Sequence, residues 1–155
     1  MLLTALPYRI DSAELFEAIA DEPWAVFLDS ARPRSSAGRI DILAARPSAT
    51  LITRGGMTEI RRYDGTGPSV SLSPDDPFDL LRLALAADGQ PSPLPFTGGA
   101  IGYFGYDLAR RIERLPRLAR DAEAIPDMAV GIYDWAVVID HEQRASWLEI
   151  GRAHV

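Results

Sequence analysis

The chain has 155 residues, of which 47% are hydrophobic and 25% are charged, and its formal net charge is -6. This length suits one globular domain with a core and is short for two. The acidic balance and the scattered basic residues exclude the electrostatic footprint of a nucleic-acid-binding protein. Because the chain has no cysteine, disulfides, thiol catalysis and thiolate metal sites are excluded as well.

The sequence also argues against membrane insertion and against an imidazole-rich metal site. No apolar run approaches the roughly 20 residues that a membrane span needs. The amino terminus has no charged region ahead of its short apolar stretch, so the cytoplasm is the expected compartment. The two histidines, His141 and His154, are too few and too far apart to suggest a metal centre.

The amino-terminal part of the chain predicts a helix between two strands. Leu2 to Leu6 is short and apolar and is followed by a proline, so it is predicted as the first strand. Asp11 to Glu14 has the spacing of a capping box, which predicts a helix that runs to about Ala20. Trp24 to Leu28 is an apolar run typical of a strand buried on both faces.

The next elements predict an antiparallel sheet. Arg39 to Ala45 is predicted as a second inner strand. Ala49 to Thr53 and Thr58 to Tyr63 flank Arg54 to Met57, whose two glycines favour a hairpin turn. Ser69 to Leu72 is predicted as a further short strand. Links this short join antiparallel neighbours, so the sequence predicts a largely antiparallel arrangement.

A second helix is predicted from Asp76 to about Ala87. Aspartate at the N-cap followed by proline at the first helical position is a strong start signal. The predicted inner face consists of Phe78, Leu81 and Leu85.

The stretch from Pro95 to Asp107 combines closely spaced glycines with large aromatic residues. It contains neither the dinucleotide-binding glycine pattern nor the lysine of a P-loop. The preferred interpretation is a glycine-kinked strand in a packed interior.

The carboxy-terminal part predicts a helical segment and two more strands. Asp107 is expected to cap a helical segment that ends near Leu115. Met128 to Asp140 is predicted as one long strand, bulged at Gly131. A turn follows, and Ala145 to Glu149 is predicted as the last strand. In total, the elements predict an α+β fold with largely antiparallel sheets and a few flanking helices.

The last six residues, Ile150 to Val155, do not continue this pattern. They match the translation, in one frame, of a widely used sequencing-library adapter. We therefore expect one domain over residues 1–149 and a non-native tail over residues 150–155.

Several motifs in order carry a resemblance to a known family. After the glycine-rich stretch come Tyr106 to Pro116 (YDLARRIERLP) and Pro126 to Trp135 (PDMAVGIYDW). Together they resemble the N-terminal region of component I of aminodeoxychorismate synthase, whose relative is component I of anthranilate synthase. The likeness runs from about Leu6 to about Trp147, and its ordered motifs are more specific than a single glycine pattern.

The resemblance implies an enzyme of 4-aminobenzoate and folate synthesis that converts chorismate and ammonia to 4-amino-4-deoxychorismate, a transaminase-class amination. In that family a C-terminal chorismate-binding domain, which would lie beyond residue 155, handles chorismate and Mg²⁺. A glutamine amidotransferase subunit supplies the ammonia. No catalytic or metal-binding residue is therefore assigned to this chain, which alone is expected to be inactive.

The resemblance also implies a tryptophan site in this region. The matching residues follow the second predicted strand: they are Ser30, at the end of the motif that begins at Phe27, then Ala37, Gly38, Arg39 and Ile40. An amino-acid zwitterion needs donors for its carboxylate, an acceptor for its ammonium and an apolar slot for indole. Ser30, Arg39 and backbone groups are the candidates. The alternative is a serine that ends a strand and an arginine in a salt bridge.

Two rival functions stay open. One is the tryptophan-regulated component I of anthranilate synthase, although its feedback-sensitive members resemble one another in having a glutamate where this chain has Asp29. The other is a stand-alone ligand-binding or interaction module. Asp140 and His141 resemble half of a catalytic triad, but no serine accompanies them in the sequence, and a polar turn after a strand is the preferred interpretation.

Overall fold

The computed structural model describes residues 2–32, 34, 36–64, 67–85, 92–114, 116 and 123–151. The strands in these ranges are β1 (Leu2–Leu6), β2 (Val26–Leu28), β3 (Ile40–Ala44), β4 (Ala49–Arg54), β5 (Met57–Asp64), β6 (Gly67–Ser73), β7 (Gly99–Phe104), β8 (Met128–Tyr133), β9 (Trp135–Asp140) and β10 (Ala145–Ile150). The helices are α1 (Ala13–Phe16), α2 (Pro77–Ala84) and a 3-10 helix (Tyr106–Arg111).

The strands form two five-stranded sheets in which each neighbouring pair is antiparallel. The first sheet has the order β1-β10-β9-β3-β2, and the second has the order β6-β5-β4-β8-β7. The predicted hairpin joins β4 to β5, and Gly55 adopts a φ of +55° in its turn. The largely antiparallel α+β fold predicted from the sequence is therefore confirmed.

The two sheets pack against each other around Tyr133. Its ring lies in a buried cluster with Ala44 from β3 and Ile101 from β7. Its hydroxyl donates a 2.8 Å hydrogen bond to the carbonyl of Trp24. Burial raises the pKa of Tyr133 to about 12, so the hydroxyl remains a donor at neutral pH. This tyrosine therefore connects the first sheet to the second.

A second core lies on the opposite face of the second sheet, beneath the helices. Leu81 of α2 and Leu108 of the 3-10 helix pack there. The strand residues that they cover are Leu51, Ile60, Met128 and Val130. Val130 and Tyr133 are an odd number of positions apart, so their side chains point to opposite faces of β8. The second sheet is thus covered on both faces along β8.

The start of α2 is as predicted, but its inner face is not. The Asp76 carboxylate accepts a 2.8 Å hydrogen bond from the N–H of Phe78, which is the expected N-cap contact. Leu81 is buried, whereas Phe78 and Leu85 are exposed. The helix turns Leu80 and Leu81 toward the sheet instead. Ala87, the predicted end of this helix, lies outside the described residues.

The prediction of one long strand over Met128 to Asp140 is wrong. The chain forms β8 in the second sheet, passes Asp134 and continues as β9 in the first sheet. Apolar residues line both strands, so the hydrophobic pattern does not show where the chain changes sheet. The predicted bulge is also absent, since Gly131 pairs regularly with Thr50 and Ile101. Gly131 is required because a Cβ there would lie 2.8 Å from the Tyr133 ring.

The glycine-rich stretch is an edge strand rather than a strand in a packed interior. It forms β7, which pairs with β8 at one edge of the second sheet. Ile101 is buried, but Tyr103 and Phe104 are exposed, and Tyr106 is 83% exposed. The helical segment after it begins at Gly105 without a side-chain cap, and Asp107 pairs with Arg110 instead. Its predicted end, Leu115, lies outside the described residues.

The amino-terminal elements are shorter or more exposed than predicted. Helix α1 has four residues, and Asp11 accepts from the N–H of Ala13 rather than forming a full capping box. Strand β2 lies at an edge of the first sheet, with Leu28 exposed. Trp24 has a φ of +57° and lies outside that strand, so only part of the apolar run is extended.

The carboxy-terminal boundary remains a prediction. Ile150 ends β10, where it pairs with Leu2 and Trp135. The next residue, Gly151, donates a 2.6 Å hydrogen bond to the carbonyl of Asp134. The rest of the predicted non-native tail, residues 152–155, lies outside the described residues.

Gly102 gives a direct test of the close pairing of β7 with β8. A Cβ at this position would lie 2.1 Å from the carbonyl oxygen of Ala129, which is part of the rigid β8 backbone. We expect Gly102→Ala to lower the free energy of unfolding by about 2 kcal/mol or more, measured by urea denaturation. Gly56→Ala is the matched control, since a Cβ there meets nothing within 4 Å. Equal stability of the two variants would contradict the proposed clash.

Candidate ligand-binding site

A buried polar cluster lies where the loop after β2 meets the turn between β9 and β10. Its centre is Asp41 in β3, which is fully buried. Oδ1 of Asp41 accepts 2.7 Å hydrogen bonds from both the backbone N–H and the hydroxyl of Ser30. Oδ2 accepts a 2.8 Å bond from Nε2 of His141. Two segments that are distant in sequence are therefore bound to one carboxylate.

The cluster extends to the segment around α1. The Ser12 hydroxyl lies 3.3 Å from Nε2 of His141 and is also bonded to Asp41. The Tyr8 hydroxyl lies 3.1 Å from Nδ1 of the same ring. Because Ser12 is engaged in this way, it caps α1 without a side-chain hydrogen bond to the helix backbone. The polar atoms of His141 and Asp41 are thus satisfied within the interior.

The ionisation of Asp41 follows from these contacts. Burial alone would raise the pKa of its carboxyl group, because it disfavours the charged form. Hydrogen bonds from His141, Ser12 and Ser30 outweigh that effect and hold the pKa of Asp41 below its ordinary value of 3.8. Asp41 is therefore a buried anion at neutral pH.

His141 lies in the turn that the sequence indicated, but its side chain also belongs to the buried polar cluster. Its side chain is 3% exposed, and the carboxylate beside it is Asp41 rather than the adjacent Asp140. A catalytic triad needs serine and carboxylate on different ring nitrogens, whereas here both Ser12 and Asp41 meet Nε2. The arrangement is structural. The sequence could not show it, because the pairing of β3 with β9 brings residues 41 and 141 together.

Gly38 brings the loop after β2 against the start of β3. It is buried, and a Cβ at this position would lie 2.1 Å from the carbonyl oxygen of Ser30. Only glycine lets the two backbone segments approach this closely without displacement. Its neighbour Ala37 is exposed.

Arg39 lies on the other side of this region and forms two ion pairs. Its guanidinium contacts Asp140 at 2.9 Å and Glu142 at 3.1 Å. Burial would raise the pKa of Asp140, but hydrogen bonds from Arg39 and from the backbone N–H groups of Gln143 and Glu142 lower it. The Arg39 side chain is 53% exposed, so it can change partners at little cost.

A cavity of about 450 Å³ lies beside this ion pair. One end is polar and contains Arg39, Asp140 and Gln143. The remaining wall is apolar and consists of Leu3, Ile40, Pro93, Leu94, Pro95, Val138 and Trp147. A mostly apolar cavity with a few polar groups at one end is typical of a site for a small amphipathic molecule.

The structure divides the predicted tryptophan-site residues between two places. Arg39 and Ile40 line the cavity. Ser30 is bonded to Asp41, which follows Ile40 in β3 and therefore points to the opposite face of the first sheet. Gly38 packs on Ser30, and Ala37 faces solvent. Their assignment to tryptophan binding stays a prediction.

The sequence had not indicated several of the residues that build this region. Asp140, Trp147 and the prolines at 93 and 95 come from three separate segments, which only the sheet order and the returning connector bring to one cavity. Within the described part of the chain, no group of three His, Cys, Asp or Glu residues could hold a metal ion. No helix among those residues is long and apolar enough to cross a membrane.

The buried Asp41 charge predicts a specific acid dependence of stability. Because the pKa of Asp41 is below 3.8 in the folded chain, its ionisation contributes stability above that pH. This contribution is lost as the pH falls through the folded value. We expect Asp41→Asn to lower the free energy of unfolding at pH 7 by about 1–3 kcal/mol and to flatten its acid decline.

Urea denaturation between pH 7 and pH 2 measures both effects. Asp79→Asn, at an exposed position of α2, is the matched control and should change little. An unaltered acid decline in Asp41→Asn would show that other carboxylates cause the acid dependence.

The fold matches part of a solved structure of anthranilate synthase component I. A solved structure of anthranilate synthase component I from Streptococcus pneumoniae TIGR4 superimposes with a TM-score of 0.61 and 28% sequence identity. The superposition covers 77% of this chain and 25% of that one. No family model matches the chain.

Sequence similarity is higher to aminodeoxychorismate synthase component 1. The protein of that name from Klebsiella aerogenes is 46% identical over 147 residues, which are 92% of this chain and 32% of the relative. Anthranilate synthase component 1 of Mycolicibacterium smegmatis is 33% identical over 130 residues, or 80% of this chain and 24% of the relative. The chain is therefore homologous to aminodeoxychorismate synthase component 1 and spans about a third of its length.

Proposed function

We propose that this chain is the N-terminal, non-catalytic part of an aminodeoxychorismate synthase component I. The 46% identity to the Klebsiella aerogenes relative over 92% of the chain carries this proposal. The anthranilate synthase relative is less similar and matches less of the chain, which favours the first function over the second. The whole enzyme would convert chorismate and glutamine-derived ammonia to 4-amino-4-deoxychorismate for 4-aminobenzoate synthesis.

In this proposal the chemistry belongs to parts that the chain does not contain. A C-terminal chorismate-binding domain would hold chorismate and Mg²⁺, and a glutamine amidotransferase subunit would deliver ammonia. The polar groups described above support this division, since Asp41 and His141 are buried and bonded to each other. The role of this chain is to provide a folded support for the catalytic region and a site for a small ligand.

A hybrid enzyme tests the proposed function. Residues 1–149 would replace the matching region of the Klebsiella aerogenes relative in a strain that requires 4-aminobenzoate. We expect the hybrid to restore growth and the chain alone to restore none, because the region that would bind chorismate is missing. The unaltered relative is the positive control. Product formed by the chain alone from chorismate, ammonia and Mg²⁺, above a no-protein blank, would contradict its inactivity.

The matching hybrid with the Mycolicibacterium smegmatis relative, in a strain that requires tryptophan, separates the two synthases. Growth restored by that hybrid and not by the first would favour anthranilate synthase.

We further propose that the ligand site binds tryptophan. The apolar residues that line the cavity, among them Trp147, Ile40 and the prolines at 93 and 95, would provide the slot for indole. Arg39 at its polar end can donate to the carboxylate of the amino acid. Ser30 acts from the other face of β3, where its bonds to Asp41 fix the loop that leads to Gly38 and Arg39.

Calorimetric titration with tryptophan tests this second proposal. A charge-assisted hydrogen bond contributes about 1.5–3 kcal/mol, so we expect Arg39→Ala to weaken binding roughly ten- to a hundredfold. Ser30→Ala should weaken it less, since Ser30 acts through the loop. The proposal fails if the folded chain binds no tryptophan, or if both variants bind as the original chain does.

A further inference from the structure

We infer that Asp140 is the residue that recognises the ammonium group of the ligand, and that this group decides which ligands the cavity accepts. The inference rests on the proposed tryptophan site and extends it from indole and carboxylate to the third part of the zwitterion. Asp140 lines the cavity next to Arg39, with its side chain 5% exposed. It is thus a carboxylate fixed in the cavity wall.

The position of this carboxylate is set by the backbone. Its Oδ1 accepts hydrogen bonds of 2.9 and 3.0 Å from the N–H groups of Glu142 and Gln143 in the turn after β9. Among the described residues, its Oδ2 accepts only from Arg39, at 2.9 Å from Nη2 and 3.2 Å from Nε. Oδ2 is therefore the atom that can exchange a partner without disturbing the turn.

Arg39 has an alternative partner for the bond that it would give up. Its Nε already lies 3.1 Å from Oε2 of Glu142, slightly closer than it lies to Oδ2 of Asp140. When a ligand ammonium approaches Oδ2, Nε can remain with Glu142 while the outer nitrogens donate to the ligand carboxylate. The ion pair then opens into a site with one positive and one negative contact for a zwitterion.

The charges of this cluster favour the ammonium over the carboxylate. Arg39 contributes one positive charge, and Asp140 and Glu142 contribute one negative charge each at neutral pH, so the three groups carry a net charge of -1. A cationic ligand neutralises that excess, whereas an anionic one adds to it. Electrostatic complementarity of this kind discriminates between ligands more strongly than the apolar wall can.

Three indole ligands separate the contributions. Tryptophan has both charged groups, tryptamine lacks the carboxylate, and indole-3-propionate lacks the ammonium. In calorimetric titrations of the whole chain we expect tryptophan to bind most tightly and tryptamine to bind more tightly than indole-3-propionate. Indole-3-propionate binding as tightly as tryptamine, or more tightly, would overturn the inference without any variant.

Asp140→Asn tests whether Asp140 is that residue, and Asp79→Asn, at an exposed position of α2, is its matched control. Asparagine keeps an oxygen for the two turn N–H groups but has no charge to offer an ammonium. We expect Asp140→Asn to weaken tryptophan and tryptamine binding roughly ten- to a hundredfold and to leave indole-3-propionate within about threefold. Asp79→Asn removes the same charge from a side chain that is 62% exposed and does not line the cavity, and tryptophan binding should change by less than about threefold.

The outcomes distinguish a failure of the role inferred for Asp140 from a failure of the proposed tryptophan site. If the folded chain binds none of the three ligands, both the tryptophan site and the role of Asp140 are overturned. If tryptophan binds and Asp140→Asn binds it equally well, only the role of Asp140 is overturned. A loss of all three ligands alike in Asp140→Asn would assign Asp140 to the structure of the turn instead. If Asp140→Asn does not fold, the ranking of the three ligands on the original chain still decides.

Discussion

The burial of one carboxylate constrains much of the first sheet. A charged group removed from water is stable only when hydrogen bonds replace its hydration, and Asp41 obtains them from Ser12, Ser30 and His141. Those partners come from the N-cap of α1, the loop after β2 and the turn after β9. Each segment must therefore reach the same point, which fixes how the loop before β3 runs. Gly38 and Arg39 lie in this loop, so their positions depend on the path that the loop takes past Ser30.

The chain passes from the second sheet to the first at Asp134, and this passage links the buried Asp41 cluster of the first sheet to the second sheet. Because β8 and β9 are nearly continuous in sequence, the position of Tyr133 in one sheet determines the register of Val138 and Asp140 in the other. The cavity lies on the face of β9 that carries those residues, and the connector at residues 93–95 lines it as well. The lining of the cavity includes Leu3 of β1 and Trp147 of β10, so strands from both ends of the chain contribute to it.

Local sequence signals predicted the elements whose causes are local. The glycines at 55 and 56 gave the hairpin, and Asp76 with Pro77 gave the start of α2, because turn geometry and capping depend on adjacent residues. Non-local features were not predictable in this way. Exposure of the aromatic residues of β7 depends on what lies beside that edge, and the contact of His141 with Asp41 depends on strand pairing across the first sheet.

The candidate site shows the same limit. Ordered motifs led to Arg39 and Ile40, which do line the cavity, and to Ser30, which lies behind it. The sequence led to Asp140 as a turn residue. Its Oδ1 does accept a hydrogen bond from the turn, but its Oδ2 accepts from Arg39 at the cavity, which the sequence did not indicate. Sequence position alone cannot separate the two oxygens of one carboxylate, since each is defined by a different neighbour in space.

The burial of the Tyr133 hydroxyl, which donates to the Trp24 carbonyl, has a consequence at alkaline pH. An unfolded tyrosine ionises near pH 10, whereas in the folded chain the pKa of Tyr133 is about 12. Between these values the unfolded state loses a proton that the folded state keeps, so the stability of the fold declines as the pH rises through this window. Above it, an oxyanion would face a carbonyl oxygen between the two sheets. Burial of this tyrosine between the sheets therefore makes the fold less stable at high pH.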